Sequence, residues 1–138
     1  MKIKQLSIFL ENKTGRINQV AKTLGNNGIN MIAFSLAESA DFGILRLLVS
    51  DTAKAAAVLK EEHFAVKESD VICLECSNTP GALAKILDTL SSENIFIEYM
   101  YAFAREKSAN IVIRPTDIDK CEEVLTRNNC NMLNGETL

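Results

Sequence analysis

The first half of the chain shows two apolar periodicities in succession. Residues 3–10 alternate between apolar and polar side chains, which predicts a half-buried strand. Between Ile17 and Leu24 the apolar side chains recur at positions i, i+3, i+4 and i+7, which predicts an amphipathic helix. Gly25-Asn26-Asn27-Gly28 is a strong helix-stop signal. The chain therefore begins with a strand followed by a helix.

The pattern continues with two strands, a helix and a last strand. Residues 29–38 and 43–49 are predicted to be strands joined by a turn at Ser39-Ala40-Asp41. Asp51 is predicted to cap a second helix, and residues 64–67 to form a short last strand. This half therefore has the order strand-helix-strand-strand-helix-strand.

The second half repeats this order without a gap. Gly15 and Gly81, each at a predicted helix start, are 66 positions apart, and the apolar positions keep that offset. The join lies near residues 68–70, so the predicted domains are 1–69 and 70–138. The predicted fold class is α+β, with two ferredoxin-like βαββαβ units side by side and antiparallel sheets carrying helices on one face.

A glycine turn opens the first helix of each half. The turns are Asn12-Lys13-Thr14-Gly15-Arg16-Ile17 and Asn78-Thr79-Pro80-Gly81-Ala82-Leu83. Glycine lets another group approach the backbone, and the unpaired N–H groups of a first helical turn attract a carboxylate or phosphate. A plain turn, with Asn or Thr as the helix cap, is the alternative. The repetition favours a ligand site but is also compatible with inherited structure alone.

Composition narrows the class of protein. The chain has 138 residues, 47% hydrophobic and 24% charged, which is typical of a globular protein. A net charge of −3 and the lack of a Lys/Arg cluster argue against nucleic acid or an anionic membrane as partner. No signal-peptide core and no long apolar run are present, so the predicted location is cytoplasmic.

The residues that could carry chemistry are few. Cys73-x-x-Cys76 resembles half a zinc site or a redox pair, but strand residues three apart point to opposite faces. We interpret these cysteines, with Cys121 and Cys130, as buried free thiols, and we expect no metal and no cofactor. His63 is the only histidine, so no nucleophile–histidine pair is expected and the chain is predicted not to be an enzyme.

These features together resemble the ACT domain family, small-molecule sensing modules of amino-acid metabolism. The resemblance covers nearly the whole chain as two copies. It rests on the element order, the Asn-x-Pro-Gly-x-Leu type of turn at residues 78–83, and Gly28-Ile29-Asn30-Met31 at the start of the second strand. It implies a regulatory protein that binds an amino acid between its two domains and acts on a separate metabolic enzyme.

The resemblance also implies the ligand contacts. The glycine turn of one domain and the second strand of its neighbour would enclose the amino acid. The contacts carried over are Asn12, Lys13, Thr14, Gly15, Arg16, Ile17, Asn30, Met31, Asn78, Thr79, Pro80, Gly81, Ala82, Leu83, Phe96 and Ile97. Phe96 stands where the first half has Asn30, and Thr14 where the family has Pro, so the two sites are expected to differ.

An assembly and two other functions follow from the same patterns. The second strands, near 29–38 and 95–104, are expected to pair side by side, and a homodimer is expected to cover the open sheet face near Phe9 and Cys73. One alternative function is an acylphosphatase-like hydrolase that uses Arg16. The other is a structural partner subunit with vestigial pockets.

Overall fold

The structure is a computed structural model that describes residues 1–38, 41–136 and 138. Part of the turn predicted at Ser39-Ala40-Asp41 therefore lies outside the described residues. The elements are β1 (Ile3–Glu11), α1 (Arg16–Asn26), β2 (Met31–Glu38), β3 (Phe42–Val49), α2 (Thr52–Glu61), β4 (Ala65–Ser77), α3 (Ala82–Ser92), β5 (Ile97–Arg105), β6 (Ser108–Pro115), α4 (Ile118–Arg127) and β7 (Met132–Leu133). Within the described part of the chain, every helix is too short or too polar to span a bilayer.

The chain divides into two compact units. The first unit is Lys4–Ser69, and the second is Asp70–Leu138 together with Met1–Ile3. One strand, β4, runs through the join where the sequence suggested a short strand at 64–67 and then a separate one. The segment from Ala65 to Ser77 contains neither glycine nor proline, so nothing in it ends the extended run.

The first unit has an antiparallel sheet in the order β2–β3–β1. Its core joins side chains of this sheet to the inner stripes of α1 and α2, so both helices cover the same face. Leu6, Ile8, Leu24, Leu45, Leu47 and Leu59 are fully buried there. The apolar residues that alternate along the strands and those that recur at helical spacing thus pack together in one core.

The second unit repeats the arrangement, with the order β5–β6–β4–β7. Ile72, Leu74, Ile113 and Leu125 are fully buried and lie in one core with Leu90 of α3. The predicted ferredoxin-like α+β class is therefore confirmed for both units.

The four helices begin in two different ways. Asp51 and Asp117 cap α2 and α4, and their carboxylates accept from the N–H groups of Lys54 and Lys120 at 3.1 and 3.0 Å. The predicted Asp51 cap is confirmed. By contrast, the residue at the N-cap of α1 and of α3 is a glycine, so the Asn or Thr cap of the plain-turn alternative does not occupy that position.

Candidate functional site

The turn before α1 holds Gly15 in the left-handed region, with φ of 90°. That conformation favours glycine, because other L residues bring Cβ against the backbone there. A Cβ built on Gly15 would meet no other atom within 4 Å, so the space beside this backbone is open. The first turn of α1, with N–H groups that lack intrahelical partners, follows directly.

A cavity of about 260 Å³ lies against this turn, and all of it belongs to the first unit. Its walls come from the end of β1, the turn, the start of α1, the end of β2 and the start of β3. The lining residues are Leu10, Glu11, Asn12, Lys13, Thr14, Arg16, Ile17, Leu36, Ala37, Glu38 and Gly43. The structure thus brings five of the six predicted residues of this turn together at one cavity, and the sixth, Gly15, is not among the lining residues.

Strand register explains why the end of β2 joins the turn. Leu10 and Glu38 are both paired with Gly43, so the ends of β1 and β2 flank the same point of β3. The side chain of Leu36 lies close to Gly43, since a Cβ built there would be 3.4 Å from Leu36 Cδ1. Nothing in the local sequence of residues 36–38 marks them as site residues. Their role depends on pairing across two strands.

Asn30 and Met31 lie at the other end of β2. Glu38 is eight positions after Asn30, which corresponds to about 26 Å along a strand. The N–H of Asn30 donates to Ser50 Oγ at 2.9 Å, and Met31 packs against the first-unit core. Neither residue lines the cavity at the turn of its own unit.

The cavity combines an apolar wall with charges of both signs. Leu36 and Ile17 are 54% and 39% exposed, which is high for large apolar side chains. Glu11 accepts from Lys13 Nζ at 2.9 Å and lies 3.6 Å from Arg16 Nη2. The hydrogen bond from Lys13 and then the charges of Lys13 and Arg16 lower the pKa of the Glu11 carboxyl. Such a site suits a small zwitterion with an apolar part.

The matching turn of the second unit keeps the backbone but loses the charges. Gly81 has φ of 83°, and Ser77 Oγ lies 3.1 Å from Thr79 Oγ1. At the positions of Glu11, Lys13 and Arg16 this turn has Ser77, Thr79 and Ala82. Asn78, Thr79, Pro80 and Gly81 are exposed, whereas Ala82 and Leu83 pack against the second-unit core.

The remaining predicted residues of the second unit lie apart from this turn. Phe96 is 67% exposed, and Ile97 is the first residue of β5 and packs against the core. Both residues lie at the start of β5. The strands are arranged as in the first unit, so the Gly81 turn lies near the other end of β5.

The four cysteines are free thiols with different surroundings. Cys73, Cys76 and Cys121 are buried and Cys130 is half-buried. Among the residues that the structure describes, no three His, Cys, Asp or Glu side chains are grouped to hold a metal. Burial raises the pKa of Cys73 to about 12 and, as the largest cause, that of Cys121 to about 11.

We expect slow alkylation of the buried thiols in the folded protein. The thiolate is the nucleophile, and a raised pKa leaves little of it near neutral pH. Iodoacetamide should therefore label Cys130 before Cys73 and Cys121, as followed by peptide mass spectrometry, and all four at similar rates in denaturant. Labelling of Cys73 in the folded protein as fast as in denaturant would contradict this assignment.

The fold and the turn geometry define a tandem ferredoxin-like protein with a glycine turn at the first helix of each unit. The chain belongs to the ACT domain pair family, which it matches over residues 1–138. The resemblance inferred from the sequence is therefore confirmed.

Solved structures of similar proteins share this fold. Protein BT0572 from Bacteroides thetaiotaomicron is 55% identical, with a TM-score of 0.92 over 96% of this chain and 92% of that one. The regulatory subunit of aspartate kinase from Thermus thermophilus is 15% identical, with a TM-score of 0.66 over 89% and 87%. That from Thermus flavus is 16% identical, with a TM-score of 0.64 over 89% and 88%. No curated protein matches the chain.

Proposed function

We propose that this protein is a regulator that binds a free amino acid at the Gly15 turn and acts on an enzyme carried by a separate chain. The observation that carries the proposal is the 260 Å³ cavity, which lies against the Gly15 turn and combines charges of both signs with an apolar wall. In this proposal residues 1–69 and 70–138 are two ACT-like domains, and neither has a catalytic role.

Each part of an amino acid has a complementary surface in the cavity. The carboxylate would accept from N–H groups of the first turn of α1, where the helix dipole and Arg16 favour negative charge. The ammonium group would lie near Glu11 and Glu38. The side chain would rest on Leu36 and Ile17, whose exposed apolar area it would cover.

The regulatory part of the proposal draws on a protein of the same fold. The Thermus thermophilus protein is a regulatory subunit of aspartate kinase. By analogy, we assign this chain a regulatory role toward a metabolic enzyme, without specifying which one. Asn30, Met31, Phe96 and Ile97 are proposed to contact a ligand held by the glycine turn of a neighbouring domain, as the family resemblance implies.

A thermal-shift screen of the twenty amino acids tests this function. A ligand present at 100 times its dissociation constant should add about 2.7 kcal/mol to the free energy of unfolding. We expect one amino acid, or a few related ones, to raise the melting temperature. If none does, the structural-subunit alternative replaces the proposal. Hydrolysis of acetyl phosphate that is lost in Arg16→Ala would instead favour the acylphosphatase-like alternative.

A further inference from the structure

Three positions of the second unit are polar where the first unit is apolar. Phe9 and Ile44 are cross-strand partners in the first unit, and Ala65 begins its last strand. At the same offset along the chain, the second unit has Glu75, Asn110 and Asn131. Glu75 and Asn110 are again cross-strand partners. Polar residues thus replace apolar ones at neighbouring positions, and they form a polar cluster at one end of the sheet.

The cluster is held together by hydrogen bonds, but one of its donors has no partner. Asn131 Nδ2 donates to Glu75 Oε2 at 2.9 Å, and the N–H of Glu75 donates to the Asn131 carbonyl at 2.8 Å. Asn110 is only 1% exposed, and its Nδ2 has no hydrogen-bond partner among the described atoms. Buried amides are almost always paired, so an unpaired donor in this place requires an explanation.

Two adjoining cavities of about 520 and 410 Å³ lie at the cluster, within the second unit. Both are lined by Glu75 and by Arg105, Glu106 and Ser108 of the β5–β6 hairpin. Asn131 lines the larger cavity and Asn110 the smaller. The hairpin is fixed by Ser108 Oγ, which donates to the Arg105 carbonyl at 3.0 Å. Charges of both signs therefore surround a recess that ends at an unpaired donor.

We propose that this recess is a second ligand site, for a small zwitterion of the amino-acid class. Its ammonium group would lie at the Glu75 carboxylate. Its carboxylate would accept from the Asn110 amide and lie near Arg105 of the hairpin, which lines the same cavity. The amide reaches the recess by rotation about χ2, a torsion with a broad energy profile. This site is separate from the Gly15 turn and does not depend on ligand binding there.

Nuclear magnetic resonance can separate this site from the first. The Asn110 side-chain amide is assigned by its disappearance in Asn110→Ile, and the Asn131 side-chain amide is the reporter in every variant. Isoleucine occupies the matching position of the first unit, so this variant should fold, and removing the unpaired amide should raise the melting temperature. The probes are the twenty free amino acids, with acetate and methylamine as single-charge controls.

We expect at least one amino acid to shift both side-chain amides in a saturable way, while acetate and methylamine shift them far less. Asn110→Ile and the isosteric Glu75→Gln should each weaken this binding about tenfold or more, the loss of one hydrogen bond or ionic contact. No shift with any of the twenty probes would overturn the proposal. Unchanged affinity in both variants would also overturn it. Neither outcome depends on binding at Gly15, which would be detected by resonances of the first unit.

Discussion

Replacing Gly15 with asparagine should lower the affinity for the amino-acid ligand roughly 100-fold while leaving the chain folded. Asparagine is one of the few residues that tolerates positive φ, so the turn can keep its backbone. Its side chain would occupy the open space beside the backbone, where a Cβ meets nothing within 4 Å. Two hydrogen bonds from the helix start to the ligand carboxylate would be lost, each worth about 1.4 kcal/mol. Isothermal titration calorimetry measures the change.

The matched control is Gly81→Asn. Gly81 has nearly the same conformation, with φ of 83°, and a Cβ there also meets nothing within 4 Å. The two variants therefore carry the same backbone cost in equivalent turns. We expect the Gly81→Asn variant to bind the ligand at the Gly15 turn with the same affinity as the unmodified protein. Equal affinity losses in both variants, or none in Gly15→Asn, would count against the assigned site.

Replacing Leu24 with alanine should lower the free energy of unfolding by about 2–5 kcal/mol, because it leaves a cavity in a fully buried site. Leu24 anchors the inner face of α1, whose first turn forms a wall of the candidate site. The same substitution should therefore also weaken ligand binding. Urea denaturation measures the first effect and calorimetry of ligand binding the second.

Leu90→Ala is the control for this effect. Leu90 is the counterpart of Leu24 in α3 and is 1% exposed in the second-unit core. We expect a similar loss of stability, with no change in affinity at the Gly15 turn. If Leu90→Ala weakened that binding as much as Leu24→Ala does, the loss of affinity would follow from the loss of stability alone. In that case α1 would have no special role in positioning the site.

The apolar pattern was enough to predict the element order, the repeat and the core. Alternation in 3–10 and helical spacing from Ile17 to Leu24 each follow from local geometry. The strand buries its predicted apolar face, whereas the helix buries Val20 and Leu24 and leaves Ile17 39% exposed beside the cavity. The continuous strand β4 was missed, because the repeat suggested an interruption near residues 68–70. No glycine or proline in the segment supports one.

The candidate site could be predicted only in part. The turn from Asn12 to Ile17 is contiguous in sequence and carries a recognisable glycine. Residues 36–38 join it through strand register, which local sequence does not specify. Asn30 and Met31 came from the family resemblance, and the register places them at the far end of β2.

The polar cluster of the second unit could have been found by aligning the two halves of the sequence. Glu75 and Asn110 stand at positions where the first half has Phe9 and Ile44. The repeat is identified from positions that are apolar in both halves. A position that is apolar in one half and polar in the other does not contribute to that match, so such exchanges are not noticed. Only the structure shows that these residues are cross-strand partners beside a cavity.

A crystal structure with the amino acid that gives the largest thermal shift tests the central claim most directly. We predict a carboxylate oxygen about 2.9 Å from a backbone nitrogen in the first turn of α1. We also predict that the ligand side chain contacts Leu36. A ligand bound elsewhere, with the Gly15 turn vacant, would contradict the assignment of this cavity as the amino-acid site.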